Sequence, residues 1–459
     1  MSIMKSLAKF GTELQWSDLD HQTSETAKQA ILDACGNTLS GRYHAEAAPV
    51  LKYTWENEIY PAEQKGYPLP GERQQKYSLR GALFAAAVMG RLADMDDGFT
   101  RAMGHPGSLL VPTLLLCGAS EQISGKEALT ALTAAYEIYA RIGEAVNPSM
   151  HRERGFDATG VCGAVAAAFL IARLRKLSCD EMVNAMGLAA SFSGGLIESQ
   201  IDGTSGKYLC GAWGAVNGLQ SVQLAQSGFT GPVCALEGKA GLIQGFRGSG
   251  SSEPERILEG LGNSFKINEV YFKRYACLRG VHGAMDAVRS LKEAWNLTPN
   301  QVASLDIRAS EYLMRLSRPE PETLVAAQGS LQLTSAAILC YGEIAAASSL
   351  MEYMDDPEIR EMMKKIKVTA DEEMQQYYKA HKEQYSACKV VLTTTDGKQL
   401  TEYRYLPDGE EQGKRFGWTE LENKFCRLLE TTPEAGRSKD RIKKIKNLEN
   451  EHQIGNLLI

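Results

Sequence analysis

SLRGALFAAAVMGRLADMDDGFTRAMGHPG, residues 78–107, decides how this chain is read. The segment 78–93 is apolar almost all round, and a helix apolar on every side is buried. Three carboxylates follow directly: Asp94, Asp96 and Asp97. Acidic groups at a helix C-terminus oppose the macrodipole, so their presence needs a reason. One loop later His105 stands between Gly104 and Pro106. A carboxylate and an imidazole joined by a short stiff loop are what proton transfer at carbon requires. The plainer alternative is a C-capped helix with an acidic end.

The neighbouring sequence is helical as well. Residues 21–40 place Ala27, Ile31, Leu32 and Cys35 on one stripe. Ser124 with Glu127, and Ser178 with Glu181, predict capping boxes that open helices to about 146 and 191. Residues 159–175 and 208–227 predict two more, the first rich in small residues. The glycine-rich stretch 228–255 breaks the pattern. None of its glycines follows a strand and opens a helix, so it predicts a boundary, not a phosphate loop, with a short helix at 254–261. Beyond it VASLDIRAS predicts a strand, and CKVVLTTT with LTEYRYL predict a hairpin about Asp396-Gly397. Helices are expected at 281–294, 328–350, 370–384, 417–431 and 437–449.

Bulk properties narrow the function. The 459 residues exceed one compact core. Lys plus Arg number 50 and Asp plus Glu 56, a formal charge of −6, which excludes a basic nucleic-acid-binding domain. The basic segment GRSKDRIKKIK reads as a solvated helix face. Among the ten cysteines none lies closer than seventeen residues to another, so CxxC zinc, redox and iron–sulfur patterns are absent. Reduced, buried thiols in a cytoplasmic protein are expected. The segment 158–172 is too short to span a bilayer, and MSIMKSLAKF lacks the apolar core of a signal peptide.

Four motifs occur in order: DMDDGFTRAMGHPG, GFDATGVCGAVAAA (155–168), DGTSGKYLCGAWGAVNGLQSVQLAQSGFTGP (202–232) and FKRYACLRGVHGAMDA (272–287). Together they resemble the MmgE/PrpD family, whose members include 2-methylcitrate dehydratase, cis-aconitate decarboxylase and iminodisuccinate epimerase. The resemblance extends over nearly the whole chain. It implies a mainly α fold: a large all-helical domain from residues 1–266, rejoined by 412–459, with a smaller α+β lid domain, 267–411, inserted. It further implies a homodimer, a cleft active site and no metal or organic cofactor.

The three family reactions share one requirement. A carbon beside a carboxylate gains or loses a proton, so cations or donors must face the carboxylate and an acid/base group must reach the carbon. His105 matches the family's HP histidine and is the leading proton donor or acceptor. Asp94 matches the first aspartate, expected to hold that imidazole or to position water. Asp96 and Asp97 are read as structural. Lys207, in SGKYLCG before a helix, and Lys273 match family lysines that bind substrate carboxylate; a surface lysine is the alternative for Lys207. His282 matches a family histidine, with a structural, capped histidine as its alternative. Tyr312 falls near a family site tyrosine.

Three departures stand out. The GFH histidine is Asp157 here, the lid histidine five residues after its lysine is Leu278, and Gly98-Phe99 follow the second acidic pair. A carboxylate at 157 repels a tricarboxylate, so a smaller or amino-bearing carboxylate is expected, with Asp157 a base or an amine partner. The leading expectation is a hydro-lyase acting on a small hydroxy-polycarboxylate. An epimerase of an amino- or imino-dicarboxylate is the second reading and a non-catalytic relative the third. Decarboxylation of cis-aconitate ranks last of the family reactions.

Overall fold

The computed structural model describes residues 2–60, 66–72, 74–248, 253–344, 346–454 and 457. It is mainly α-helical with one four-stranded sheet.

The apolar run becomes the helix Leu79–Leu92, capped by Ser78, whose hydroxyl accepts from the Gly81 amide, and is buried from Gly81 onward. Both predicted capping boxes form. They open the helices Gly125–Val146 and Cys179–Ser191. His21–Gly41, Ala158–Leu174 and Leu209–Gln226 follow the predicted spans within two residues. The helices that periodicity did not predict include Ile3–Glu13 and Gly107–Glu121, which carries Pro112 inside it. The second is as apolar as a buried helix can be and so shows no stripe.

Ala158–Leu174 and Leu209–Gln226 pack at backbone range. A Cβ on Gly218 would stand 2.6 Å from Ala167 Cβ and 2.7 Å from the Ala168 amide. Only glycine allows that approach, and dispersion between the two backbones replaces side-chain packing.

The later part of the chain builds the sheet, in the order β2-β1-β3-β4. β1 (Val302–Ala309) pairs in parallel with β2 (Ile366–Ala370) and antiparallel with β3 (Cys388–Thr394). β3 and β4 (Gln399–Arg404) form the hairpin expected about Asp396-Gly397, with Leu392 opposite Leu400. β2 was not foreseen: IKVTA is short and half polar, which suits an edge strand but gives little periodicity. The expected helix 328–350 is three pieces: Leu324–Gln328, Leu331–Tyr341 and Ala347–Asp355. Ser330 caps a new start through the Leu333 amide, and Gly342, at φ 86°, ends the middle piece in the left-handed region. At 254–261 only a 3₁₀ turn, Pro254–Leu258, is present.

The buried apolar residues fall into two clusters. The larger unites the helices before residue 272 with Phe416, Phe425 and Ile445 near the C-terminus. The smaller surrounds the sheet and the helix Arg279–Trp295. The acidic loop belongs to both: Leu92 and Phe99 enter the first, Ala93 and Met95 the second. All ten cysteines are free and five are buried. Among the described residues no helix is long and apolar enough to cross a membrane.

Overpacking tests the helix contact. Gly218→Val costs about 1–3 kcal/mol, read as a lower urea midpoint with unchanged slope. A wild-type midpoint would show that the two backbones are not pressed together.

Candidate active site

Asp94 follows the end of Leu79–Leu92 with φ 51°, a left-handed conformation that aspartate tolerates better than most residues. Its carboxylate meets two ammonium groups, Lys207 Nζ at 2.7 Å on Oδ2 and Lys273 Nζ at 2.6 Å on Oδ1. Lys273 also donates to the Asp94 carbonyl at 3.0 Å, and Lys207 to Gln328 Oε1 at 3.1 Å. Burial would raise the Asp94 carboxyl, but Lys207, Lys273 and Arg91 outweigh it and hold it far below the usual carboxylate range.

The other acids of the loop are matched in turn. Arg91, in the last helical turn, donates to Asp96 at 2.5 Å, which offsets the macrodipole cost of acid at this end. Lys424 binds Asp33 at 2.5 Å and the Met95 carbonyl. Asp97 accepts from the Gly107 amide at 2.8 Å and from the Tyr136 hydroxyl at 2.7 Å. Burial, with Asp33 nearby, pushes Asp97 up to about 7. Four carboxylates (Asp33, Asp94, Asp96, Asp97) and four cations (Arg91, Lys207, Lys273, Lys424) thus share one buried cluster.

His105 sits on the rim of this cluster with 14% of its side chain exposed. The Phe99 amide bonds the Gly104 carbonyl at 2.9 Å, and the His105 amide bonds Thr159 Oγ1 at 3.2 Å, so the loop is pinned on both sides. Nδ1 lies 2.7 Å from the Asp97 carbonyl oxygen and 3.4 Å from Asp96 Oδ2. A carbonyl only accepts, so this contact assigns the ring proton to Nδ1 and leaves the Nε2 lone pair free. Burial and the Arg91 guanidinium lower the imidazole to about 3, against the opposing pull of Asp96. The ring is neutral at physiological pH. The expectation that Asp94 holds it is corrected: both Asp94 oxygens are taken by lysines, and Asp97, read as structural, orients the ring through its backbone.

His105 opens onto a cavity of about 230 Å³, whose wall also contains Asp157, Tyr312 and Leu278. Asp157 caps the helix Ala158–Leu174: Oδ1 accepts from the Thr159 amide at 2.7 Å and Oδ2 from Gln200 Nε2 at 3.2 Å. Its charge therefore faces donors, which weakens the repulsion argued from its presence. Tyr312 stacks on Tyr378 with centroids 5.4 Å apart and meets Tyr385 edge-on. Neither Lys207 nor Lys273 lines this cavity. His282 lies outside it too, fully buried, with Nε2 3.2 Å from the Cys277 carbonyl and its ring against Tyr275.

The cations in the wall are arginines. Arg91 and Arg279 are paired, with Asp96 and Glu410. Arg152, Arg315 and Arg318 also face the cavity, and among the described residues no carboxylate lies within ion-pair distance of them. His151, missed in the sequence, adds a second imidazole; its Nδ1 is buried without a hydrogen-bond partner among the described residues. The signal for these was slight: HRERG runs into the GFD motif, and Arg315 and Arg318 follow Tyr312 within six residues. Among the described residues no group of three or more His, Cys, Asp or Glu is arranged to hold a metal ion.

Comparison with known proteins agrees with the motifs. A cis-aconitate decarboxylase-like protein, oryM, of Aspergillus oryzae is 25% identical over 434 residues, covering 89% of this chain and 87% of that protein. Cis-aconitate decarboxylase of Aspergillus terreus is 24% identical, with 89% and 86% covered, and the Homo sapiens protein of that name is 22% identical, with 97% and 92% covered. The MmgE/PrpD N-terminal domain matches residues 5–255 and the C-terminal domain residues 275–450. With nearly its whole length so accounted for, the chain belongs to the MmgE/PrpD family.

Proposed function

We propose that the protein is a lyase acting on a small polycarboxylate by proton transfer at a carbon beside a carboxylate. One observation carries this reading: a neutral imidazole with a free Nε2 shares a cavity with guanidinium groups that have no carboxylate partner among the described residues. Arg315 and Arg318 receive substrate carboxylates as charge-assisted donors. His105 Nε2 takes the proton from the adjacent carbon. Negative charge then moves onto the carboxylate that the guanidinium groups hold, which lowers the barrier. In the dehydration reading the hydroxyl on the next carbon leaves, taking the proton back from the imidazolium as water. Tyr312 orients the substrate. Lys207 and Lys273 act through Asp94, by fixing the loop, and His282 supports the packing beneath. The part of the chain around the sheet, residues 267–411, serves as a lid over the cavity.

Dehydration is preferred because an imidazole lowered to about 3 rests as a base, whereas decarboxylation needs a proton donor for the carbanion left by CO₂. Decarboxylation is the second reading, favoured by the names of the relatives and by the positive wall. A homodimer is also proposed. Phe192, Leu196 and Trp213 are exposed and line one apolar groove. Sedimentation of the wild type as a dimer and of Trp213→Asp as a monomer supports that assembly; a monomeric wild type refutes it.

A panel of citrate-like hydroxy acids, cis-aconitate and amino-dicarboxylates in deuterated water separates the chemistries. Dehydration gives new ultraviolet absorbance without CO₂, decarboxylation gives CO₂, and epimerisation gives deuterium uptake with neither. His105→Asn is expected to lower kcat by about 10²–10⁴. Full activity in that variant, or binding across the panel without turnover, defeats the proposal.

The pH profile is a second check. Because the imidazole is depressed, it stays a base as pH falls through 6.5 and is protonated only near 3. Thus kcat/KM, which reports the free enzyme, is expected to show no acid limb owed to the imidazole between pH 8 and about 5. An acid limb at 6–7 that vanishes in His105→Asn would contradict the assigned environment.

A further inference from the structure

A second, larger cavity of about 720 Å³ adjoins the first, and the two share Thr100, Met103 and Arg152 in their walls. Arg152 is the only cation of those three. It comes from the short helix Ser149–Arg154 of the helical part, yet its contacts are in the sheet-bearing part. The guanidinium lies 4.6 Å from the Tyr312 ring centroid and 5.2 Å from that of Tyr378, and Nη2 donates to the Lys382 carbonyl at 2.5 Å. Nε and Nη1 are buried with no hydrogen-bond partner among the described residues.

A cation held by two rings and one carbonyl, with two buried N–H groups unmatched, is under-satisfied. Unpaired buried donors cost free energy that an acceptor recovers. Lys379 and Lys382 stand beside it in the outer cavity, and neither has a carboxylate within ion-pair distance among the described residues. The other cations there are neutralised: Arg101 and Lys266 by Glu144, Arg141 by Glu137, and Arg256 by Glu253 and Glu259. One further acid, Glu383, lines the same chamber, so Arg152, Lys379 and Lys382 leave an excess of positive charge where the two cavities meet.

We infer that Arg152 is a carboxylate gate between an outer approach chamber and the reaction cavity, deepening the polycarboxylate reading on which it rests. In the resting state the tyrosine rings and the Lys382 carbonyl hold the guanidinium across the junction. An incoming carboxylate attracted by Lys379 and Lys382 takes the unmatched N–H groups. A charge-assisted bond is stronger than the cation–π contact it replaces, so the side chain swings with its anion and the ligand passes inward. A neutral ligand cannot make that exchange. Selection for carboxylates thus begins before the reaction cavity.

The test uses tricarballylate, a saturated tricarboxylate with no leaving group, titrated calorimetrically into the full-length protein. Arg152→Gln is expected to weaken binding roughly ten- to a hundredfold. Arg152→Lys, which keeps charge but not the planar fork, is expected to lie between. Lys379→Gln with Lys382→Gln is expected to slow association at low ionic strength, the difference closing near ~0.5 M salt. With a turned-over substrate, Arg152→Gln raises KM more than it lowers kcat. Binding by both Arg152 variants within twofold of wild type, or no binding by the wild type, overturns the gate. If no panel compound reacts yet binding still depends on Arg152, the lyase reading fails and the gate stands. If turnover is normal and Arg152 is indifferent, the gate alone fails.

Discussion

The carboxylate of Asp94, held between the ammonium groups of Lys207 and Lys273, is the contact on which the rest of the site depends. It joins positions 113 and 179 residues apart in the chain. The loop it anchors contributes to both apolar clusters, so its position sets how they meet. Three fully buried charges are tolerable only together. Removing one partner leaves an uncompensated charge in low dielectric, which costs far more than the pair contributes in its place.

This arrangement divides the electrostatics in two. Within the cluster every acid has a basic or hydroxyl partner, and none of that charge is left over for a ligand. In the cavity the balance is reversed: among the described residues no acid lies within ion-pair distance of Arg152, Arg315 and Arg318, and Asp157 in the same wall is absorbed as a helix cap. Guanidinium groups suit this role better than ammonium groups, since the planar fork matches a carboxylate and remains charged at any working pH. The lysines and arginines thus have separate tasks, one set holding the loop and the other facing the ligand.

Much of the architecture could be read from local chemistry. Serine and glutamate three apart became capping boxes, and Asp396-Gly397 became a hairpin turn, because both signals act within one turn of chain. The helix breaks at Ser330 and Gly342 were hidden inside a run apolar enough to pass for one helix. Of the site, His105, Asp157 and Tyr312 do meet in one cavity. The lysines were recognised as important, but no spacing rule could reveal that Asp94 takes both. Arg152, Arg315 and Arg318 escaped notice because an arginine near a helix end looks solvated until the fold closes over it.

Equilibrium unfolding of Asp94→Asn tests the clamp most directly. The amide keeps the shape and removes the charge, leaving Lys207 buried without its anion and Lys273 with only the more distant Asp96, 3.9 Å away. The expected result is a loss of about 3–5 kcal/mol, largely recovered when both lysines are also replaced by methionine. A variant within about 0.5 kcal/mol of wild type would mean that the loop and its imidazole are held by something else.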